Sequence, residues 1–118
     1  MRVAVVSDIH SNLHALEAVL AAIEAEATDE LWCLGDLVGY GADPDACTAL
    51  VRERSDVCLV GNHDLAVLDA LDVSSFSETA KAAVEWTREV IAEETTGFLA
   101  ELSIALWRGA TRQPQRED

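Results

Sequence analysis

The sequence has few basic residues for its length and many acidic ones. Eight Lys and Arg stand against 22 Asp and Glu, which gives a formal net charge of −14 at pH 7. A surface of this sign repels nucleic acid, because proteins that bind nucleic acid carry basic patches. It also repels anionic substrates, unless bound metal ions invert the field locally. We therefore expect no nucleic-acid partner, and for an anionic substrate we expect a metal site.

Long apolar runs are missing as well. No run approaches the ~20 residues that a transmembrane helix needs. The first apolar run, residues 3–6, is too short for a signal peptide and is soon followed by charge. These absences predict a cytoplasmic location and no membrane partner.

Cysteine is scarce, with three in 118 residues: Cys33, Cys47 and Cys58. Their number is odd and no two have the Cys-x-x-Cys spacing, which excludes an ordinary disulfide framework or zinc motif. Cys33 and Cys58 lie inside apolar runs, so we expect them to be buried as small hydrophobic residues. The alternative, a redox or ligand role, has no motif behind it.

What the sequence does contain is an alternation of strand and helix patterns within one domain. Continuous apolar runs predict buried strands, and apolar residues at steps of three and four predict helices. Strand, helix, strand, helix, strand is typical of a parallel α/β sheet. The predicted strands are 2–6, 31–34 and 57–60, and the predicted helices are 12–27, 43–54, 65–71 and 78–94. We expect a break at 95–97, a helix or extended segment at 98–107, and a polar, disordered tail at 108–118 after a domain of residues 1–107.

Each of the three strands ends on a small residue that is followed at once by residues of the kind that bind metals. Right-handed crossovers bring the carboxyl ends of parallel strands to one edge, where α/β proteins bind their ligands. The residues expected at this edge are Asp8, His10, Asp36, Asn62 and His63. Simple turn and helix-cap chemistry at strand ends is the alternative.

This mixture of carboxylate, imidazole and amide groups without thiolate suits Mn²⁺, Fe²⁺, Zn²⁺ or Mg²⁺. A carboxylate at the end of the central strand, such as Asp36, is placed to bridge two ions. Two ions about 3.5–4 Å apart would clamp a phosphate group and activate a water molecule. The pattern therefore indicates phosphoester hydrolysis.

Three motifs together resemble the calcineurin-like metallophosphoesterase superfamily. They are Asp8-Ile9-His10, the glycine-rich segment 35–41 that contains Gly35-Asp36, and Gly61-Asn62-His63-Asp64. The sequence is most similar to small bacterial and archaeal phosphoesterases, which usually have Gly where Ser11 stands, and the likeness runs from residue 1 to about 102. The resemblance implies a four-layer α/β/β/α sandwich, of which the parallel βαβαβ unit of this chain is the N-terminal half.

The resemblance also implies which residues of this chain would bind each ion of a two-metal site. Asp8 and His10 would bind the first ion, Asp36 would bridge both ions, and Asn62 would bind the second. The implied activity is metal-dependent hydrolysis of phosphomonoesters or phosphodiesters, with a metal-bound hydroxide as the nucleophile.

Two further residues are implied to be catalytic. His63 would lie over the phosphate, stabilise the transition state and protonate the leaving group. Asp64 would orient His63.

The most serious departure from the family lies in the histidines: they are His10, His14 and His63, and none follows. The family's other metal ligands are histidines in the second half of the domain. Only half a domain is therefore expected here, through truncation, a frameshift or a split gene, with one sheet face uncovered. We expect self-association or a complementing chain, and keep two alternatives open: an inactive metal-binding remnant, and an interaction module.

Overall fold

Three parallel strands and two crossover helices form the centre of the protein, as the sequence predicts. The computed structural model describes residues 1–109. The elements in chain order are β1 (Val3–Val6), α1 (Leu13–Glu24), β2 (Glu30–Cys33), α2 (Pro44–Arg54), β3 (Val57–Cys58), α3 (Asn62–Val67), α4 (Glu78–Val90), α5 (Glu93–Ile104) and β4 (Trp107–Arg108).

The sheet has the order β1-β2-β3-β4, in which the first three strands are parallel and β4 is antiparallel to β3. Each crossover moves one strand further in the same direction. Right-handed connections then place α1 and α2 on the same face. The carboxyl ends of β1, β2 and β3 consequently meet at one edge, and one face of the sheet receives both helices.

The hydrophobic core lies on the helix-bearing face. Cys33 and Cys58 are direct partners in the β2–β3 register, and both are fully buried free thiols. This confirms the prediction that they act as small core residues. The third thiol, Cys47, is also fully buried, and burial raises its pKa to about 11.

The opposite face of the sheet is partly bare. Val5 pairs with Trp32, and Trp32 pairs with Val57, so these side chains share one face. Leu34 and Leu59 follow two residues after Trp32 and Val57 and continue that face. Val5 is 54% exposed, Leu34 45% and Leu59 40%. The described residues thus agree with the expectation of one uncovered sheet face.

Two helix starts differ from the sequence prediction. Helix α1 begins as expected after Asn12, whose side-chain oxygen accepts from the Ala15 amide. Helix α3 starts at residue 62 rather than 65, and Ser77, not Ser75, caps α4. Both lie where several polar residues in a row offer alternative caps. Helices α1, α3 and α4 also end earlier than predicted, at Glu24, Val67 and Val90 rather than at 27, 71 and 94.

The predicted break at 95–97 is wrong, because α5 runs through it. The chain breaks instead at residues 91–92, where the Ala92 amide and the Thr95 hydroxyl both donate to Asp45. Beyond that start, Phe98, Leu99 and Leu102 are buried along one side of the helix. Burial of this side overrides the weak helix propensity of the Thr-Thr-Gly sequence.

Most of the predicted polar tail lies outside the described residues. Its first residue, Arg108, lies in β4 and pairs with Val57 of β3. The Gly109 amide donates to the Asp56 carbonyl oxygen. Within residues 1–109, no helix is long and apolar enough to cross a membrane. A cytoplasmic location stays a prediction.

Gly97 offers a test of this assignment of α5. A methyl group added at Gly97 would meet no atom within 4 Å. Because Gly costs about 0.5–1 kcal/mol relative to Ala inside a helix, we expect Gly97→Ala to raise the free energy of unfolding by that amount. Urea unfolding monitored by circular dichroism measures the change. Ala82→Gly, at an exposed position of α4, is the matched control and should shift the midpoint the other way. A lower midpoint for Gly97→Ala would mean that α5 does not pass through residue 97.

Candidate metal centre and active site

Asp8, His10 and Asp36 come together at the carboxyl edge of the sheet. One donor atom from each residue can be chosen so that all three lie within 4.8 Å of one another. His10 Nε2 is 3.2 Å from Asp8 Oδ1. A nitrogen and two carboxylate oxygens at this spacing fit one divalent cation of the Mn, Fe, Zn or Mg type.

The first two of these side chains are prepared for metal binding by their neighbours. The Ser7 hydroxyl donates to Asp8 Oδ2 at 2.8 Å, and this bond, together with His10, lowers the pKa of Asp8. His10 Nδ1 lies 3.0 Å from the carbonyl oxygen of Val38. A carbonyl only accepts, so this contact requires the proton on Nδ1 and leaves the Nε2 lone pair for a metal ion.

The backbone at the site is held in an unusual conformation. Asp8, His10, Asp36 and Tyr40 have φ between 48° and 61°, the left-handed region that L-residues rarely adopt. Each such residue costs about 1–3 kcal/mol and persists only where the surroundings impose it. Strain of this kind concentrated on the predicted ligands favours a functional reading over the alternative of plain turn chemistry.

The loop after β1 is attached to the loop after β2 by backbone hydrogen bonds. The amides of Asp8 and His10 donate to the carbonyl oxygens of Gly35 and Asp36 at 3.1 and 2.9 Å. The Ser11 amide donates to Leu37 at 2.9 Å. Segment 35–38 therefore fixes where Asp8 and His10 stand relative to Asp36.

The loop after β3 approaches the same segment from the other side. The His63 amide donates to Asp36 Oδ1 at 2.9 Å. A side chain at Gly61 would place its first carbon 2.2 Å from Asp36 Oδ1, so only Gly fits there. Asn62, the first residue of α3, is exposed directly beside this contact.

His63 lies among aromatic rings at the rim of the site. Its ring centroid is 4.8 Å from His10, 4.9 Å from Tyr40 and 5.2 Å from Phe76. Burial, with His10 as the next cause, lowers the pKa of His63, which favours the neutral form of the ring. Its Nδ1 is buried and has no hydrogen-bond partner among the described residues.

The Asp64 side chain bonds to the backbone of the site. Its fully buried carboxylate accepts hydrogen bonds from the backbone amides of Asp36, Leu37, Val38 and Gly61 rather than from His63. Burial raises its pKa to about 6, against the lowering effect of these amide bonds. The Asp64 carboxylate thus bonds to the chain on either side of the site, and its predicted role in orienting His63 stays a prediction.

Two aromatic residues at the site were not among the predicted site residues. Tyr40 is 51% exposed beside His10 and His63, and a bulky residue amid glycines is the signal that marks it. Phe76 arrives from the segment before α4, and no local motif indicates its contact with His63.

Ser11 stands where similar phosphoesterases usually have Gly, and its conformation shows the consequence. Its φ is 59°, and its buried hydroxyl has no partner among the described residues. Relief of both features should make Ser11→Gly more stable by about 1 kcal/mol, after the larger unfolded-state entropy of Gly is subtracted.

Ser11→Ala separates the two contributions, because it removes the hydroxyl and keeps the left-handed strain. Chemical unfolding of the three proteins should give the stability order Gly, then Ala, then Ser. A Gly variant less stable than both others would contradict the conformation assigned to residue 11.

Comparison with known proteins gives a consistent match along the chain. The family profile of the calcineurin-like phosphoesterases matches residues 1–105. An uncharacterized protein from Methanocaldococcus jannaschii is 43% identical over 104 residues, which are 88% of this chain and 43% of that protein.

Two solved structures share the fold. The metallophosphoesterase from Sphaerobacter thermophilus has a TM-score of 0.70 and 40% identity, over 86% of this chain and 41% of that one. A putative diadenosine tetraphosphatase has a TM-score of 0.66 and 27% identity, over 86% of this chain and 42% of that one. The chain thus spans about two fifths of the length of these relatives. On the strength of the profile match and of the site at its strand ends, this chain belongs to the calcineurin-like phosphoesterase family.

Proposed function

We propose that this chain provides the first metal site and the phosphate-facing histidine of a metal-dependent phosphoesterase. The observation that carries the proposal is the meeting of Asp8, His10 and Asp36 donor atoms within 4.8 Å, beside the ring of His63. Hydrolysis of phosphomonoesters or phosphodiesters is the reaction that such a site serves.

In this proposal Asp8 and His10 hold the first ion, Asp36 bridges to a second, and Asn62 binds the second. Bound divalent ions supply Lewis acidity for the phosphoryl oxygens and lower the pKa of a water molecule. They also neutralise the carboxylates, which would otherwise repel a phosphate group.

His63 acts on the ester oxygen. A neutral imidazole can donate a hydrogen bond to that oxygen as negative charge develops on it, whereas protonation of the leaving group would need the imidazolium form of His63. The rings of His10 and Tyr40 limit its movement. Asp64 belongs to the site through the backbone it holds rather than as a proton carrier.

A further polypeptide segment completes the site in this proposal. Asp8, His10, Asp36 and Asn62 offer too few donors for two five- or six-coordinate ions. The exposed side chains of Val5, Leu34 and Leu59 form an apolar face next to the same edge. We propose that a complementing segment, or failing that a second copy of this chain, covers this face.

Nucleotide phosphoesters are the first natural substrates to try, because one structural relative is described as a putative diadenosine tetraphosphatase. The resemblance to that protein covers 42% of its chain. Artificial esters test the reaction class without assuming the substrate.

The activity test uses bis-p-nitrophenyl phosphate and p-nitrophenyl phosphate with Mn²⁺, followed by diadenosine tetraphosphate. We expect release of nitrophenolate that stops when the metal is chelated and falls to the no-enzyme background in Asp36→Asn. Asp72→Asn, a change at an exposed acid far from the strand ends in sequence, should leave the rate unchanged. Metal binding in calorimetry without turnover would instead favour the inactive remnant. A chain that binds neither metal nor ester, yet co-purifies with a specific partner, would favour the interaction module.

The uncovered face gives an independent prediction. Sedimentation velocity of the wild-type chain at tens of micromolar should show association, because exposed apolar patches drive it. Leu34→Glu should shift the distribution toward monomer. Val90→Glu, at a similarly exposed apolar position on α4, is the control and should not. A wild-type chain that stays a single monomeric species would remove the support for this interface.

A further inference from the structure

We infer that Asp64 is the positioning residue of the metal centre, and that it acts on Asp36 rather than on His63. This inference rests on the proposed function for its consequence, and on the hydrogen bonds of the loops for its geometry. The sequence motif instead predicts that Asp64 orients the side chain of His63.

The carboxylate of Asp64 joins two loops. Oδ2 accepts from the amides of Asp36 and Gly61, both at 2.9 Å. Oδ1 accepts from Leu37 at 2.9 Å and from Val38 at 3.2 Å. Gly61 belongs to the loop after β3 and the other three amides to the loop after β2, so one side chain ties the two strand ends together.

Only an ionised carboxylate can fill this role. It offers two acceptor oxygens and no donor, whereas an amide side chain places an NH₂ group against one pair of backbone donors. Asp64 is fully buried, so water cannot replace a lost bond. Asparagine of nearly the same shape should therefore release one pair of amides.

The bonded segment is the one on which the ligands depend. Residues 35–37 give their carbonyl oxygens to the loop that carries Asp8 and His10. The same segment gives its amides to Asp64. In a trans peptide the N–H and the C=O point to opposite sides, so each peptide of this segment bonds to Asp64 on one side and to the loop after β1 on the other. A shift of the segment would therefore move Asp36 and the Asp8–His10 pair together.

The loops after β2 and β3 pack so closely that a small shift of segment 35–38 would change their contacts. A first side-chain carbon at Gly35 would lie 2.6 Å from the Gly61 amide nitrogen. The loops after β2 and β3 thus approach as closely as two glycines allow. Loss of the Asp64 clamp would let them separate, and the Asp36 carboxylate would lose its fixed place.

Amide hydrogen exchange on the full ¹⁵N-labelled, metal-free chain tests the clamp. In wild type, the amides of residues 36, 37, 38 and 61 should exchange much more slowly than the Ser74 amide, which donates to the exposed carboxylate of Asp72. In Asp64→Asn, the protection of one pair of the four should fall about tenfold or more relative to the β2 amides. Exchange of all four in wild type as fast as Ser74 would overturn the inference, whether or not the variant folds.

Calorimetric titration with Mn²⁺ tests the consequence. Asp64→Asn should weaken binding by about 10- to 100-fold, the usual effect of losing a residue that orients a metal ligand. Val84→Ala, which truncates a core residue of α4 that is 1% exposed, is the matched control for general destabilisation. It should lower thermal stability without changing the affinity of the folded protein for Mn²⁺.

The outcomes separate this inference from the proposed function. A wild-type chain that binds no Mn²⁺ would contradict the metal site, while the exchange rates would still decide whether Asp64 clamps the loops. Loosened loops with unchanged Mn²⁺ affinity would overturn the positioning role. Equal losses of affinity in Asp64→Asn and Val84→Ala would overturn it as well.

Discussion

A single buried carboxylate holds the ends of β2 and β3 together, and the rest of the site is arranged around that contact. Asp64 takes up four backbone amides that would otherwise be unpaired in the protein interior. Unpaired buried amides cost about 1–3 kcal/mol each, so the carboxylate stabilises this conformation of the loops. The loop after β1 then attaches to the carbonyl side of the same segment. The order of dependence runs from Asp64 to segment 35–38, and from there to the ligands Asp8, His10 and Asp36.

This arrangement explains why the strained residues gather at one edge. Left-handed backbone at Asp8, His10 and Asp36 is unfavourable in isolation, and each residue lies next to a hydrogen bond between the loops. The bonds offset the strain, and the strain turns three side chains toward one point. Ser11 differs from these residues. It shares the left-handed conformation, but its hydroxyl has no hydrogen-bond partner among the described residues. The strain and the unpaired hydroxyl at Ser11 lower the free energy of unfolding, while the geometry of the neighbouring proposed ligands is kept.

The sequence predicts the strand order and the ligand edge because both follow from patterns that are local. Apolar runs mark β1 to β3, and the ligands follow them directly. The role of Asp64 has no such sequence pattern. Its partners are backbone amides, which every residue except proline has, so the bonds do not restrict which side chains occur at the partner positions. The predicted break at 95–97 fails for a related reason: Asp45 starts α5 and core burial of Phe98 extends it. Both depend on residues roughly 50 positions apart, which periodicity in a short window cannot detect.

The charge of the chain connects the site to the uncovered face. With a net charge of −14, the protein attracts cations at the Asp8–Asp36 edge and repels phosphate until they bind. The exposed side chains of Val5, Leu34 and Leu59 are uncharged and adjoin this edge. A covering segment that brings histidines or other neutral ligands would complete the coordination without adding negative charge, and would exclude water from the ions. Two acidic copies packed face to face would bring like charges together. This argument favours the proposed complementing segment over a second copy.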